Sequence, residues 1–244
     1  MLQHIGFIMD GNRRYAQKNG LSNTEGYRKG LETFLEMVTS QVKYQIKETT
    51  FFGLSRDNYL KRPVEELDNL MQLMEQFVDN EEIRKFFVTN RIKISLIGNI
   101  EELERKEKRR DTKKKPLINK LKNELDKWNE GVGDPSYYVN LAINYDGHSE
   151  LVKATREIAD KVANKELQSK NISEKTIKQH LWYTGEPPEV IVRTGNAPRI
   201  SGFLLWDSKY AELYLTRKLW PEMEETDIYN ILHWYKGLER NFGQ

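Results

Sequence analysis

The sequence predicts an α/β fold: a mostly parallel central sheet of about six strands, covered by helices. Three observations carry this expectation. Short, strongly apolar runs such as residues 4–9 and 137–145 alternate with longer segments whose apolar residues recur at helical spacing. The first of these runs is almost continuously apolar, the pattern of a strand covered on both faces. No internal repeat or linker-like stretch interrupts the alternation, so residues 1–244 are expected to form one domain, long enough to bury a sizeable core.

In chain order, His4-Ile5-Gly6-Phe7-Ile8-Met9 is the first strand, halted by Asp10-Gly11-Asn12-Arg13-Arg14. A helical register resumes at Tyr15-Ala16-Gln17-Lys18, and a helix is expected over about 27–44, with Leu31, Phe34, Leu35, Val38 and Val42 on one face. Residues 48–54 are the second strand and run into the polar stretch 55–63. One long buried helix is expected over 64–88, with Leu67, Leu70, Met71, Leu73, Met74, Phe77 and Val78 on its apolar face. Residues 91–98 alternate cleanly and are the third strand. The run 101–115 is dense in both charges and basic on balance. A solvated helix face is its ordinary reading, and contact with anionic lipid headgroups the functional one. Residues 117–128 are helical, 131–135 a turn cluster and 137–145 a strong strand. Helices over about 149–165 and 174–181 lead to a strand at 189–192. The remaining chain holds Phe203-Leu204-Leu205-Trp206, Glu212-Leu213-Tyr214-Leu215 and a helical tail at 227–242.

Composition narrows the function classes. The chain has no cysteine, which excludes a disulfide framework and a thiolate metal site. Its net charge is +2 with both signs abundant, which argues against a nucleic-acid binder driven by bulk electrostatics. No apolar stretch approaches the ~20 residues of a membrane span, and no basic region followed by a long apolar run opens the chain. A cytoplasmic protein is expected.

The chemistry-bearing residues gather where strands end. In an open parallel sheet, ligands bind there, beside helix starts that present unpaired N–H groups to anions. Gly11 lets the backbone approach a ligand closely, and Asn12 is expected to cap the following helix. Arg13 and Arg14 supply paired donors for phosphate, and Asp10 suits a divalent cation bridging phosphate oxygens. Arg193, at the end of a later strand, and Arg199 repeat the theme.

These residues also carry a resemblance. His-Ile-x-x-Ile-Met-Asp-Gly-Asn-x-Arg at 4–14 resembles the opening signature of the cis-prenyltransferases, the undecaprenyl diphosphate synthase (Z-isoprenyl diphosphate synthase) family. Arg193-Thr194-Gly195, Arg199-Ile200-Ser201, Phe203–Trp206 and Glu212-Leu213-Tyr214 are similar to its second signature. The resemblance implies a Mg2+-dependent prenyltransferase with a hydrophobic tunnel walled by the helix after residue 64. It would condense isopentenyl diphosphate, the homoallylic substrate, with a trans allylic diphosphate to make a cis-polyprenyl chain. It implies that Asp10 and Asn58 are catalytic and that Asp10 and Glu212 bind the metal. Gly11, Asn12, Arg13 and Arg14 would hold the allylic diphosphate, and Arg193, Arg199 and Ser201 the homoallylic one. The stretch 55–63 resembles a Ser-x-Glu-Asn-aromatic loop, in which Ser55, Asn58 and Arg62 would meet diphosphate and Tyr59 a prenyl chain. A homodimer is implied, with peripheral membrane contact through the lipid product.

This would be a divergent member. Asn23 and Tyr27 stand where the family has Arg and His, Ala197 where it has Glu, Gly202 where it has Asn, and Asp57 where it has Glu. Asn241 takes the place of an arginine that, in homodimeric members, reaches the partner's isopentenyl site. Arg240 or Lys61 would be the nearest substitutes. Two other readings are therefore carried: prenyl transfer to a non-diphosphate acceptor such as a small alcohol, and a catalytically weak partner subunit of an active paralogue.

Overall fold

A computed structural model describes residues 2–110 and 117–238. The first strand, β1 (His4–Ile8), is buried along its whole length, as its continuous apolar run requires. It is followed by α1 (Asn12–Lys18), α2 (Asn23–Lys43), β2 (Glu48–Ser55), α3 (Arg56–Lys61), α4 (Val64–Val78) and α5 (Glu81–Thr89). Then come β3 (Ile92–Ile97), α6 (Ile100–Arg110), α7 (Leu117–Val132), β4 (Tyr137–Tyr145), α8 (Gly147–Ala163) and α9 (Glu174–Gln179). The described chain closes with β5 (Val190–Arg193), β6 (Glu212–Leu215) and α10 (Glu225–Lys236).

The strands form one six-stranded sheet in the order β3-β4-β2-β1-β5-β6, and every pairing is parallel. β1 is central, with Ile8 facing Phe52 of β2 on one side and Arg193 of β5 on the other. The chain leaving β1 turns toward β2, whereas the chain leaving β5 turns the opposite way, toward β6. The C-terminal ends of β1 and β5 therefore flank a topological switch point, where an open parallel sheet leaves a crevice.

Both sheet faces are covered. Phe7, Phe34, Phe51, Phe77, Trp128 and Trp220 pack on one side, and Phe52, Tyr145, Ile191 and Phe203 on the other. Local chemistry moves several boundaries from their sequence-based positions. Helix α2 begins at Asn23 because Ser22 and Glu25 form a reciprocal capping box. The single helix expected over 64–88 is two helices. Asn80 separates them, its Oδ1 accepting from the backbone N–H groups of Glu82 and Ile83 at 2.9 and 3.1 Å. The charge-dense run forms α6 as far as Arg110, and its remainder lies outside the described residues. No helix among the described residues is long and apolar enough to cross a membrane.

Candidate active site

The turn after β1 is fixed from both flanks: the Asp10 carbonyl accepts from Thr194 Oγ1 at 2.6 Å and from the Trp220 N–H at 3.0 Å. Gly11 sits at φ 116°, and a Cβ there would meet Leu219 Cβ at 2.9 Å, so conformation and space both demand glycine. Gly11, not Asn12, is the N-cap of α1, and it caps without a side-chain bond. Asn12 is already helical. Its Nδ2 donates to Met9 O at 3.3 Å, while its buried Oδ1 has no partner among the described residues.

Asp10 joins the two signatures. Its Oδ1 accepts from Arg14 Nη2 at 3.0 Å and its Oδ2 from Arg193 Nη2 at 2.9 Å. The Arg193 side chain is only 5% exposed and also donates through Nη1 to Arg199 O and to Ser201 Oγ, the latter at 2.9 Å. The loop carrying Arg199 and Ser201 is conformationally tense: Asn196, Ser201 and Leu204 all have positive φ, a cost a fold tolerates only where its surroundings over-determine it. Here Phe203 and Leu204 are fully buried, and the Phe203 ring stacks on Phe52 at 4.9 Å.

The opposite rim follows β2. Ser55 caps α3, its Oγ accepting from the Asn58 N–H at 3.1 Å, and Asn58 is exposed. Arg62 lies 3.4 Å from Glu66 and over the Tyr27 ring, and Tyr27 donates its hydroxyl to the same Glu66. Burial, reinforced by Glu66, raises the Tyr27 pKa, so the phenol stays protonated. Arg13 stands 4.0 Å from Glu66 and is largely exposed. Tyr59, expected to meet a prenyl chain, is instead packed into the core, with Lys106 over its ring.

These groups open on one cleft of about 930 Å³. Its rim carries Asp10–Arg14, Ser55, Asn58, Arg62, Arg193, Arg199 and Ser201, so strand ends far apart in sequence are brought together. Its apolar lining comes from Leu31 and Phe34 of α2, Leu70, Leu73, Met74 and Phe77 of α4, and Leu121 and Leu125 of α7. Glu212 is not among these groups. It pairs with Val190 at the start of β6, three positions before the Leu215–Arg193 pair, or ~10 Å back along the strand. Asn23 is exposed and does not border the cleft, and Arg240 and Asn241 lie outside the described residues. Lys61 does not line the cleft and is paired at 2.8 Å with Asp57, which does.

Sequence reasoning passed over Arg56, Asp146 and His148, all of which border the cleft. Arg56 and Asp146 directly follow β2 and β4, and His148 is the second residue of α8, so all three lie at strand ends as Asp10 and Arg193 do.

Comparison with known proteins is consistent along the whole chain. The family model described as undecaprenyl diphosphate synthase matches residues 8–243. A tritrans,polycis-undecaprenyl-diphosphate synthase (geranylgeranyl-diphosphate specific) of Picrophilus torridus is 33% identical, covering 99% of this chain and 89% of that protein. A ditrans,polycis-undecaprenyl-diphosphate synthase ((2E,6E)-farnesyl-diphosphate specific) of Vibrio cholerae is 34% identical, covering 99% and 90%. The crystal structure of lavandulyl diphosphate synthase from Lavandula x intermedia, in complex with dimethylallyl diphosphate, superposes with a TM-score of 0.87. It shares 27% identity and covers 100% of this chain and 98% of that one. Asp10 bridged to Arg14 and Arg193 at the sheet's switch point, and matches spanning nearly every residue, lead to one statement: this chain belongs to the undecaprenyl diphosphate synthase family of cis-prenyltransferases.

Proposed function

We propose that the protein condenses isopentenyl diphosphate with a trans allylic diphosphate to form a cis-polyprenyl chain. The observation that carries this reading is a single cleft with an arginine-rich rim at a parallel-sheet switch point and an apolar lining behind it. Two buried polar atoms at that rim have no hydrogen-bond partner among the described residues: Asn12 Oδ1 and Arg193 Nε. Groups of this kind suit a polar ligand that completes their hydrogen bonding.

In the proposed reaction the allylic C–O bond breaks and its electrons leave with the diphosphate. The isopentenyl double bond attacks the resulting carbocation, and loss of a proton restores an alkene. Arg13 and Arg14 would hold the departing diphosphate, while Arg199 and Ser201, both exposed, would orient the second. Arg193 is buried and anchors both Asp10 and the Arg199 loop, so its contribution is chiefly to place them. Asn58 would contact diphosphate from the β2 side. The apolar lining would form the tunnel for the growing chain and keep water from the carbocation, and Met74 suits variable contents.

The residues present fit Mg2+ carried in on substrate. Mg2+ is commonly held by one or two carboxylates plus substrate phosphates, and Asp10 is a partly exposed carboxylate between two arginines. When bound, the ion would neutralise charge on the leaving diphosphate. Among the described residues no group of three or more His, Asp or Glu stands ready to hold a metal, and Glu212 reaches Asp10 in no single chain. Glu212 would join the metal only across a homodimer. The exposed Leu213 and Leu215 on edge strand β6, with the exposed Tyr210 just before it, support a second copy packing there. Peripheral membrane contact would follow from the lipid product.

The test is incubation of the purified protein with labelled isopentenyl diphosphate and allylic primers of increasing length, with Mg2+ or a chelator. Label should enter extractable prenyl products only with primer and metal. Primer-independent or metal-independent incorporation would refute the scheme. A small-alcohol acceptor added in the same series should gain no prenyl group.

A further inference from the structure

Six arginines border the cleft: Arg13, Arg14, Arg56, Arg62, Arg193 and Arg199. Their charges are not equally available. Arg14 and Arg193 share the Asp10 carboxylate, while Arg13 and Arg62 share Glu66. Arg56 shares Glu102 with Lys106, and what sets it apart is its place beside the Arg199 loop. Arg199 makes no ion pair among the described residues, but one guanidinium is a thin complement for a multiply charged diphosphate. Lys61, the substitute suggested by sequence, does not line the cleft, and its charge is paired with Asp57.

The fold brings Arg56 to the same stretch of rim. Ser55 pairs with Tyr145 across β2 and β4, so Arg56 follows that pair on one strand as Asp146 does on the other. One residue further, the Gly147 N–H donates to Gly202 O at 3.0 Å, which docks the Arg199–Ser201 loop onto the end of β4. The ends of β2 and β4 and the loop bearing Arg199 thus meet.

Arg56 is also held from behind. Its Nε and Nη2 approach the Glu102 carboxylate at 3.3 and 3.4 Å, which leaves Nη1 with two further donors. Glu102 is itself fixed by Lys106 at 3.0 Å and by Asn144 Nδ2 at 3.2 Å. Burial alone would raise the Glu102 pKa, but Lys106, Asn144 and Arg56 outweigh it and hold it down to about 2, so the carboxylate stays charged. Asn144, fully buried at φ 49°, makes this support rigid. Lys106 offsets the Glu102 charge, so the Arg56 guanidinium keeps its pull on an anion although Asp57 and Asp146 border the same cleft.

We propose that Arg56 is a binding residue for the second, isopentenyl diphosphate, completing with Arg199 and Ser201 a subsite in which Glu102 is the positioning residue. The proposal rests on the two-diphosphate reading above. It makes the site whole without an arginine at position 241.

The test compares Arg56→Ala, Arg56→Lys, Glu102→Gln and Arg199→Ala in the full-length protein by steady-state kinetics for each substrate. Inorganic diphosphate serves as an inhibitor probe. Arg56→Ala should raise KM for isopentenyl diphosphate about tenfold or more, the scale of one charge-assisted phosphate contact, and leave the allylic KM within about twofold. Arg56→Lys should fall between, because an ammonium keeps the charge but not the fork. Glu102→Gln should raise the same KM less than Arg56→Ala does. Melting temperature controls for folding, and Glu102 keeps Lys106 and Asn144 when Arg56 is shortened. An unchanged KM in Arg56→Ala, or an equal rise for both substrates, overturns the proposal. If Arg199→Ala raises the isopentenyl KM and Arg56→Ala does not, the two-diphosphate reading stands and only Arg56 is misassigned. If neither raises it, the reading itself fails.

Discussion

Replacing Asp10 with Asn separates what this carboxylate does for the fold from what it does for chemistry. The change removes the shared counter-charge of Arg14 and Arg193 while keeping the side chain's shape. Arg14 is half exposed, so its bond to Asp10 contributes at most about 1 kcal/mol. Arg193 is 5% exposed, and stripping the partner from a fully buried charge costs roughly 3–5 kcal/mol. Three conditions reduce that cost here. Asp10 is itself 31% exposed, Arg193 keeps Arg199 O and Ser201 Oγ, and the Asn oxygen can still accept. A loss of about 1–3 kcal/mol is expected, which for a chain of this size lowers Tm by roughly 2–10 °C. Turnover should fall far more, by about 10²-fold or more, because the lost group acts where charge develops. Calorimetry and single-turnover assays with labelled isopentenyl diphosphate give the two numbers. Turnover within tenfold of wild type, or a protein that no longer folds, would refute the separation.

Arg199→Ala should raise KM for isopentenyl diphosphate about tenfold with Tm unchanged, whereas Arg193→Ala should lower Tm as well; equal Tm values would contradict the burial argument. His4 is buried, which lowers its pKa against the pull of Glu48 and Glu189; its Nδ1 donates to Glu186 O and its Nε2 accepts from Thr50, both at 2.8 Å. The unfolded chain therefore binds the proton more readily. The stabilisation is full above about pH 6.5 and is lost below it at up to about 1.4 kcal/mol per pH unit, a slope that His4→Gln should flatten in melts between pH 5 and 8. Asn80→Ala should cost about 1 kcal/mol by uncapping α5, measurable by urea titration; no change would mean that packing alone ends α4. Leu121→Trp should narrow the apolar part of the cleft and shorten the product distribution seen by mass spectrometry; longer products would place the chain elsewhere.

Much of the fold was legible because a parallel sheet leaves a strong pattern. The short, mainly apolar runs at 4–8, 137–145 and 190–193 read as strands, and the helical spacing between them pointed to the class. What failed was local polar chemistry. Asn80 splits a helix that hydrophobic periodicity alone would continue, and the Ser22–Glu25 box begins another before its first apolar residue. At the site, Asp10, Arg14 and Arg193 were readable because glycine-rich turns and arginines after strands are unusual. Their mutual bonding was not, since it depends on β1 and β5 being neighbours although nine helices and three strands of the described chain lie between them in sequence. Tyr59 illustrates the converse error. An aromatic beside site residues was assigned to ligand, yet the helical turn of α3 directs it into the core. Arg56, its neighbour on the same turn, faces the cleft instead.

The central claim, head-to-tail cis condensation at this cleft, is tested most directly by the structure of the product itself. The protein would be given an allylic primer and 13C-labelled isopentenyl diphosphate, and the dephosphorylated product examined by NMR. The account predicts a linear chain whose newly formed trisubstituted double bonds are Z. An E double bond, a branched skeleton, or no carbon–carbon bond formation by the folded protein would contradict it.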